Sequence, residues 1–200
     1  MIDKATRSII QTINLPAGKF PGKPVVSLDD RLLYVPNQGV FVAPGGYQGA
    51  SVLIIDTQSR SLIGEIPLNP SNISLNRLVI TPDESLIYTV KTKSLPMRAF
   101  VIDTALREVV ATITANISPT DVLMNHTGTR FYVLTTDSVV VFDTATNTEV
   151  RRQLIRPNGR LNSMALSLDG GSLFVNDEFA ASLLRLDSKR CESSKRSREA

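Results

Sequence analysis

One phrase of the sequence returns at intervals of forty to fifty-odd residues. It reads VIDTALREVVATI from Val101, VFDTATNTEV from Val141, IIDTQSRSLIGEI from Ile54, MIDKATRSIIQTI from Met1 and, in a shorter form, RLDSKR from Arg185. Internal repetition at this interval is typical of folds built from stacked copies of one structural unit. The repeat therefore constrains the fold more than length or composition does.

A second phrase, which begins with a turn, keeps the same spacing. It reads SLDDRLLYV, TPDESLIYT, NHTGTRFYV and SLDGGSLFV, and it places one aromatic residue in each copy: Tyr34, Tyr88, Tyr132 and Phe174. Because the two phrases move together along the chain, they belong to one structural unit of forty-odd residues.

Each unit has the pattern of four short strands. In the third copy we expect strands near residues 120–125, 130–135, 138–144 and 149–155, which are rich in Val, Ile, Leu and aromatic residues and are bounded by turn dipeptides. No segment between them is long or periodic enough for a helix. The pattern predicts an all-β fold of four-stranded antiparallel sheets, as in β-propeller blades, which must stack to cover their faces.

The paired phrases VFDTATNTEV and SLDGGSLFVND also resemble the YVTN family of β-propeller repeats. That family is known from surface-layer proteins and is related to lactonase-like and quinoprotein-like propellers. The resemblance covers residues 1 to about 187 and implies a propeller, whereas it says little about chemistry, because the repeats encode blades and not a site. The Trp-Asp dipeptide of another common propeller repeat is absent, since the chain has no tryptophan.

The copies predict where blades begin and end. We expect a partial blade at 1–15, whole blades at about 21–68, 73–114 and 118–155, a partial blade at 161–187, and a basic non-repeat tail at 188–200. About four blades are represented, whereas the resemblance implies rings of six to eight. We therefore expect part of a larger ring. The alternative is a four-bladed ring closed by its own termini.

Charge and composition narrow the classes of partner. The tail carries five Lys and Arg against two acids, so residues 1–187 are neutral and give no reason to expect nucleic-acid binding. No apolar run reaches the length of a membrane span, and no signal peptide is visible, so we expect a soluble protein of undetermined compartment. The single cysteine rules out an internal disulfide.

Few residues are available for catalysis or metal binding. His126 is the only histidine and lies in a turn, so we expect neither a metal site nor a cofactor, and no catalytic residue can be assigned. Cys191 is expected in an unstructured tail without a nearby base. The repeated aspartates are better explained by turn formation than by acid–base chemistry. The glycine-rich insert at 39–49 lacks the ending of a phosphate loop.

Candidate ligand-binding residues lie where the copies differ. In register with the turn aspartates, the innermost strands are predicted to open with Lys23, Arg77, Asp121 and Ser163. The same end of the blades should carry further charged residues, with cations in excess: Lys19, Lys91, Lys93, Arg98, Arg156 and Arg160 against Asp137, Asp177 and Glu178. This pattern favours an anionic small molecule or an acidic protein segment as the ligand.

A long loop at 36–51 is the most individual part of the chain. It holds Phe41 and Tyr47 among glycines. One interpretation is a lid over the channel or a surface for a partner, with Tyr47 as a candidate contact. The other is a tolerated insertion without a function.

These observations favour a binding or interaction module with its ligand at the mouth of the propeller channel. The alternative is a propeller enzyme, because similar folds include lactonases, cycloisomerases and proteins of fungal secondary-metabolite clusters such as the trichothecene cluster. In that case Lys23, Arg77, Asp121 and Ser163 would position the substrate and stabilise charge.

Overall fold

A computed structural model of the chain describes residues 12–44, 46–68, 75–155 and 160–192. The repeat copy at residues 1–11, the predicted rim residue Arg156 and residues 193–200 of the tail lie outside the described residues.

The described residues form seventeen strands and one short helix. The strands are β1 (Val25–Val26), β2 (Leu32–Asn37), β3 (Val40–Val42), β4 (Gly46–Gln48), β5 (Ser51–Asp56), β6 (Ser61–Pro67), β7 (Arg77–Ile80), β8 (Leu86–Val90), β9 (Met97–Asp103), β10 (Glu108–Ala115), β11 (Asp121–Met124), β12 (Arg130–Leu134), β13 (Ser138–Asp143), β14 (Thr148–Leu154), β15 (Leu161–Leu166), β16 (Ser172–Asp177) and β17 (Ser182–Asp187). The helix α1 spans Ser188–Glu192.

The strands pair as antiparallel sheets in simple order. The first sheet has the order β1-β2-β5-β6, the second β7-β8-β9-β10, the third β11-β12-β13-β14 and the fourth β15-β16-β17, while β3 and β4 form a separate hairpin. The predicted all-β class and the four-stranded antiparallel sheets are confirmed. The division of the chain into blades stays a prediction.

Contacts divide the chain into two compact units, residues 1–74 and 75–200. The first unit contains the first sheet. Its buried residues Val35, Leu53 and Ile55 pack against Ile13 and Leu15, which precede the sheet in the chain.

The second unit stacks three sheets. One core joins the second and third sheets and includes Tyr88, Phe131 and Phe142, whereas a second core joins the third and fourth sheets and includes Tyr132 and Val175. Each face of the third sheet is therefore covered by a neighbour. The first strand of the third sheet, β11, contacts both β7 and β15, so the first strands of the three sheets lie side by side.

The turn between the first and second strands explains the repeated Ser/Thr-x-Asp sequence. The hydroxyl groups of Ser27, Thr81 and Ser167 donate to the carboxylates of Asp29, Asp83 and Asp169 at 2.5–2.6 Å. Each carboxylate also accepts a backbone N–H two residues later, at 3.0–3.1 Å. These hydrogen bonds, led by the hydroxyl groups, hold the pKa of the three carboxyls below the usual 3.8.

The threonine of the repeated Asp-Thr pair fastens one turn to the next. Hydroxyl groups donate to the backbone carbonyl of the left-handed residue in the preceding turn, in four pairs: Thr57 to Asp30, Thr104 to Glu84, Thr144 to Gly128 and Ser188 to Gly170. The preceding aspartate meanwhile accepts backbone N–H groups of its own turn, as Asp143 does from Ala145 and Thr146. The pair therefore stabilises both turns at one end of each sheet.

Turns of neighbouring sheets also pack against each other. Gly128 has φ +72°, and a Cβ atom there would lie 2.9 Å from Cδ of Pro82 in the second sheet's turn. Gly49 has the same φ of +72°, but a Cβ atom there would meet no atom within 4 Å. An alanine would have the same strained backbone conformation at both positions. Only at position 128 would its Cβ atom also press against another residue.

We therefore expect Gly128→Ala to lower the free energy of unfolding by about 1–2 kcal/mol more than Gly49→Ala, because only the first substitution forces two packed turns apart. Urea unfolding of the two variants and the unchanged protein measures the difference. Equal losses would mean that the turns of the second and third sheets do not restrain each other.

The prediction of an unstructured tail around Cys191 is wrong. Ser188 and Cys191 of α1 are buried, and Cys191 packs among apolar side chains of the third and fourth sheets. Its thiol donates to Oε1 of Gln153 at 3.2 Å. Among the described residues the fourth sheet has three strands, whereas the third sheet has four. The helix α1 follows β17, the last of those three strands, and packs against β13 and β14 of the third sheet.

Candidate functional site

The predicted ligand-binding end is the one where the second strand of each sheet connects to the third. In the first unit, β3 and β4 are inserted in that connection, between β2 and β5. A β-bridge joins Pro21 to Asn37 at the same end, so the exposed Lys23 lies near the base of the hairpin.

Two of the predicted ligand-binding residues pair with each other. Arg77 and Asp121 are the first residues of β7 and β11, as predicted, and Nε of Arg77 lies 3.5 Å from Oδ1 of Asp121. The other carboxylate oxygen of Asp121 accepts the backbone N–H of Met164 in β15 at 3.1 Å. Asp121 is 7% exposed and links the first strands of three sheets. These contacts give it a structural role.

The other two inner-strand candidates do not open strands, so that part of the prediction is wrong. Lys23 precedes β1 by two residues, and Ser163 is the third residue of β15. Both side chains are exposed. The cause is local: β1 is only two residues long, and β15 begins before a bulge between Leu161 and Ser163.

The predicted excess of positive charge is reduced by pairing. Lys19 forms an ion pair with Glu65, a residue that the sequence pattern did not place there. Arg160 forms another with Glu178 at 3.0 Å, and its guanidinium lies 5.8 Å from the ring centre of Phe179. The side chain of Asp177 is buried and caps a turn by accepting two backbone N–H groups.

Lys23, Lys93 and Arg98 remain exposed and make no ion pair with other described residues. Lys91 is half-buried, and Asp137 accepts a hydrogen bond from Thr135 at 2.8 Å. Anion binding at this end therefore stays a prediction.

The hairpin is anchored by one buried amide. Asn37 is 0% exposed, and its Oδ1 accepts the backbone N–H groups of Phe20 at 2.9 Å and Gly39 at 3.3 Å. Its Nδ2 donates to the carbonyl of Gly49 at 2.9 Å and to the hydroxyl of Ser51 at 3.0 Å. One side chain thus fixes both ends of the insert and the segment around Phe20 that precedes β1. The signal in the sequence is only an asparagine two residues before a glycine.

The tip of the hairpin presents apolar side chains to solvent. Val40, Phe41 and Val42 are 38%, 63% and 43% exposed, and Phe20 beside them is 52% exposed. The ring of Phe41 meets Tyr47 edge-to-face, with centroids 5.5 Å apart and an interplanar angle of 69°. Residues 36–51 contain no charged side chain. Because successive strand residues point to opposite faces, Phe41 lies on one face of the hairpin and Val40 and Val42 lie on the other. An uncharged hairpin that exposes apolar side chains on both faces is the kind of surface that contacts another molecule.

Groups suited to catalysis or metal binding are few in the described ranges. His126 is exposed in the turn between β11 and β12. No three His, Cys, Asp or Glu side chains come together in residues 12–44, 46–68, 75–155 and 160–192 in a way that could hold a metal ion. The same residues contain no helix with the length and apolar character needed to cross a bilayer.

Comparison with known proteins supports the fold. No family model and no curated protein matches the sequence, whereas 814 chains of solved structures match it. One of these, hydrazine synthase from Kuenenia stuttgartiensis, contains a β-propeller and matches with a TM-score of 0.71 and 22% sequence identity. The match covers 88% of this chain and 48% of the other, so this chain spans about half of the matched structure. At such identity the likeness shows the fold alone.

Proposed function

We propose that this chain consists of β-propeller blades of the YVTN type and acts as a binding module. Three observations support the propeller: the forty-residue repeat, the four-stranded antiparallel sheets, and the side-by-side first strands β7, β11 and β15 in the second unit. The turns that carry the YVTN-like phrases have hydrogen bonds of their own, which accounts for their repetition without any chemical role.

The hairpin β3–β4 carries the functional proposal. In propellers, the connections between second and third strands border one mouth of the channel, and the hairpin is such a connection. Single exposed apolar residues are ordinary on protein surfaces, as Leu106 and Leu168 are here, whereas several on one short hairpin indicate a contact surface. Here Phe41 is 63% exposed on a hairpin whose base Asn37 holds rigidly. A rigid, apolar contact loses little conformational entropy on binding.

Site-specific crosslinking tests the proposal. A photoreactive phenylalanine analogue at position 41 should crosslink a specific partner in cells that express the protein, whereas the same analogue at Leu106 should not. Leu106 is a matched control, because it is 65% exposed in the turn after β9, in the other unit. With the identified partner purified, Phe41→Asp should weaken binding by roughly tenfold or more. Equal products from both positions, or neither a protein nor a lipid product from position 41, would overturn the proposal.

A further inference from the structure

The size of the hairpin tip limits the kind of partner that it fits. Val40, Phe41, Val42 and Phe20 together expose roughly 300–400 Å² of apolar side chain, given that an aromatic residue presents about 200 Å². A stable protein–protein interface buries about 800 Å² on each partner. The tip is therefore too small for such an interface by itself, but it suffices for a loop that inserts a few side chains into a lipid surface.

The chemistry of the hairpin suits the boundary of a bilayer. No side chain in residues 36–51 is charged, so insertion of the tip transfers no ion out of water. The two strands of the hairpin pair with each other, with Val40 opposite Gln48 and Phe41 opposite Tyr47, so their facing backbone groups have partners. Tyr47 is half-buried and lies opposite Phe41, at the same level of the hairpin. Tyrosine prefers the depth at which acyl chains meet headgroups, so it lies where an interfacial residue would be needed.

The segment beside the hairpin supplies a further apolar side chain and positive charge. A Cβ atom on Gly18 would lie 3.5 Å from Cγ2 of Val40, and the backbone of Phe20 is hydrogen-bonded to Asn37. Phe20 is therefore held at the side of the hairpin. The exposed Lys23 follows three residues later, and the neighbouring Lys19 is paired with Glu65 of β6. An exposed lysine near the base of an apolar hairpin favours anionic headgroups.

We propose that the β3–β4 hairpin, together with Phe20, inserts shallowly into an anionic lipid surface. This inference rests on the proposed function and names the partner of the same hairpin. Insertion is limited to the tip, because the outer backbone edges of a two-stranded hairpin have no partners in hydrocarbon. The contact is reversible, since a few apolar side chains give weak membrane affinity.

A single-tryptophan probe tests the inference directly, because the chain has no tryptophan of its own. The full-length Phe41→Trp variant is mixed with phosphatidylcholine vesicles that contain about 30 mol % phosphatidylserine. We expect a blue shift of the emission and quenching by lipids brominated near the headgroup end of the acyl chain. Leu106→Trp is the matched control and should show neither effect. Emission that is unchanged in the Phe41→Trp variant would overturn the inference.

Vesicle flotation supplies the second measurement. The unchanged protein and Leu106→Asp should bind the anionic vesicles, Phe41→Asp should bind at least about tenfold more weakly, and Lys23→Glu should lose several-fold. Equal binding of all four proteins would also overturn the inference. If vesicles fail while position 41 crosslinks a protein, the binding module stands with a protein partner. If both experiments fail, the proposed function falls as well.

Discussion

Phe131→Ala is expected to lower the free energy of unfolding by about 3–5 kcal/mol, more than any exposed substitution in the chain. Phe131 is 0% exposed in the core between the second and third sheets. Its ring centre lies 5.0 Å from that of Tyr88 and 6.1 Å from that of Phe142, so the substitution removes two aromatic contacts and leaves a cavity. Tyr88 cannot fill the space easily, because its hydroxyl donates to Asn147 at 3.2 Å.

Chemical unfolding, followed by far-ultraviolet circular dichroism, measures this loss. Phe179→Ala is the control, because Phe179 is 71% exposed and its removal should change the free energy of unfolding by about 0.5 kcal/mol or less. A loss below about 1 kcal/mol for Phe131→Ala would show that the second and third sheets are not packed as described.

Asn37→Ala is expected to cost about 2–4 kcal/mol and to release the hairpin. The substitution removes four hydrogen bonds, and it leaves the backbone N–H groups of Phe20 and Gly39 and the carbonyl of Gly49 without their side-chain partner. Leaving buried polar groups unsatisfied costs more than the hydrogen bonds themselves contribute. Both the melting temperature and the protection of the hairpin should fall.

Amide hydrogen exchange separates the two effects of Asn37→Ala. Exchange in β3 and β4 should become faster, whereas exchange in β12 of the other unit should not change before global unfolding. Gln48→Ala is the control, because the side chain of Gln48 is exposed on the same hairpin and takes no part in the hydrogen bonds of Asn37. If the amide protection of the hairpin were unchanged in Asn37→Ala, contacts other than those of Asn37 would hold the hairpin in place.

The parts of the fold that the sequence predicts are those that every copy repeats. Tyr88 and Tyr132 recur at the same place in the second strands of their sheets, and Asp103 and Asp143 both end third strands. Repetition makes these local patterns visible without any knowledge of neighbours. The four-stranded sheets follow from the same periodicity.

The features that the sequence does not predict depend on contacts between distant residues. Cys191 is buried because α1 packs on a neighbouring sheet, and it was expected in a disordered tail because its own segment is polar. Arg77 and Asp121 are predicted from their place at the start of inner strands, but their contact with each other, between first strands of neighbouring sheets and 44 positions apart in the chain, is not predicted. Pairing of that kind has no periodic signal.

The candidate site was predicted only in part. The sequence shows that residues 36–51 differ from the matching segments of the other copies and that they contain Tyr47. It does not show that they form a hairpin or that Asn37 holds this hairpin in place. Asn37 acts through hydrogen bonds that span 12 to 17 residues along the chain, and a lone asparagine is common in ordinary turns.

Asn37 and Ser51 face each other across β2 and β5, so the chain leaves the first sheet and re-enters it at adjacent points. The register of the two strands is therefore independent of how many residues lie between them. A segment of another length or composition can replace the hairpin whenever its ends meet at that spacing. Evolution, or a protein engineer, can thus exchange the hairpin as a cassette while the strands that support it keep their sequence.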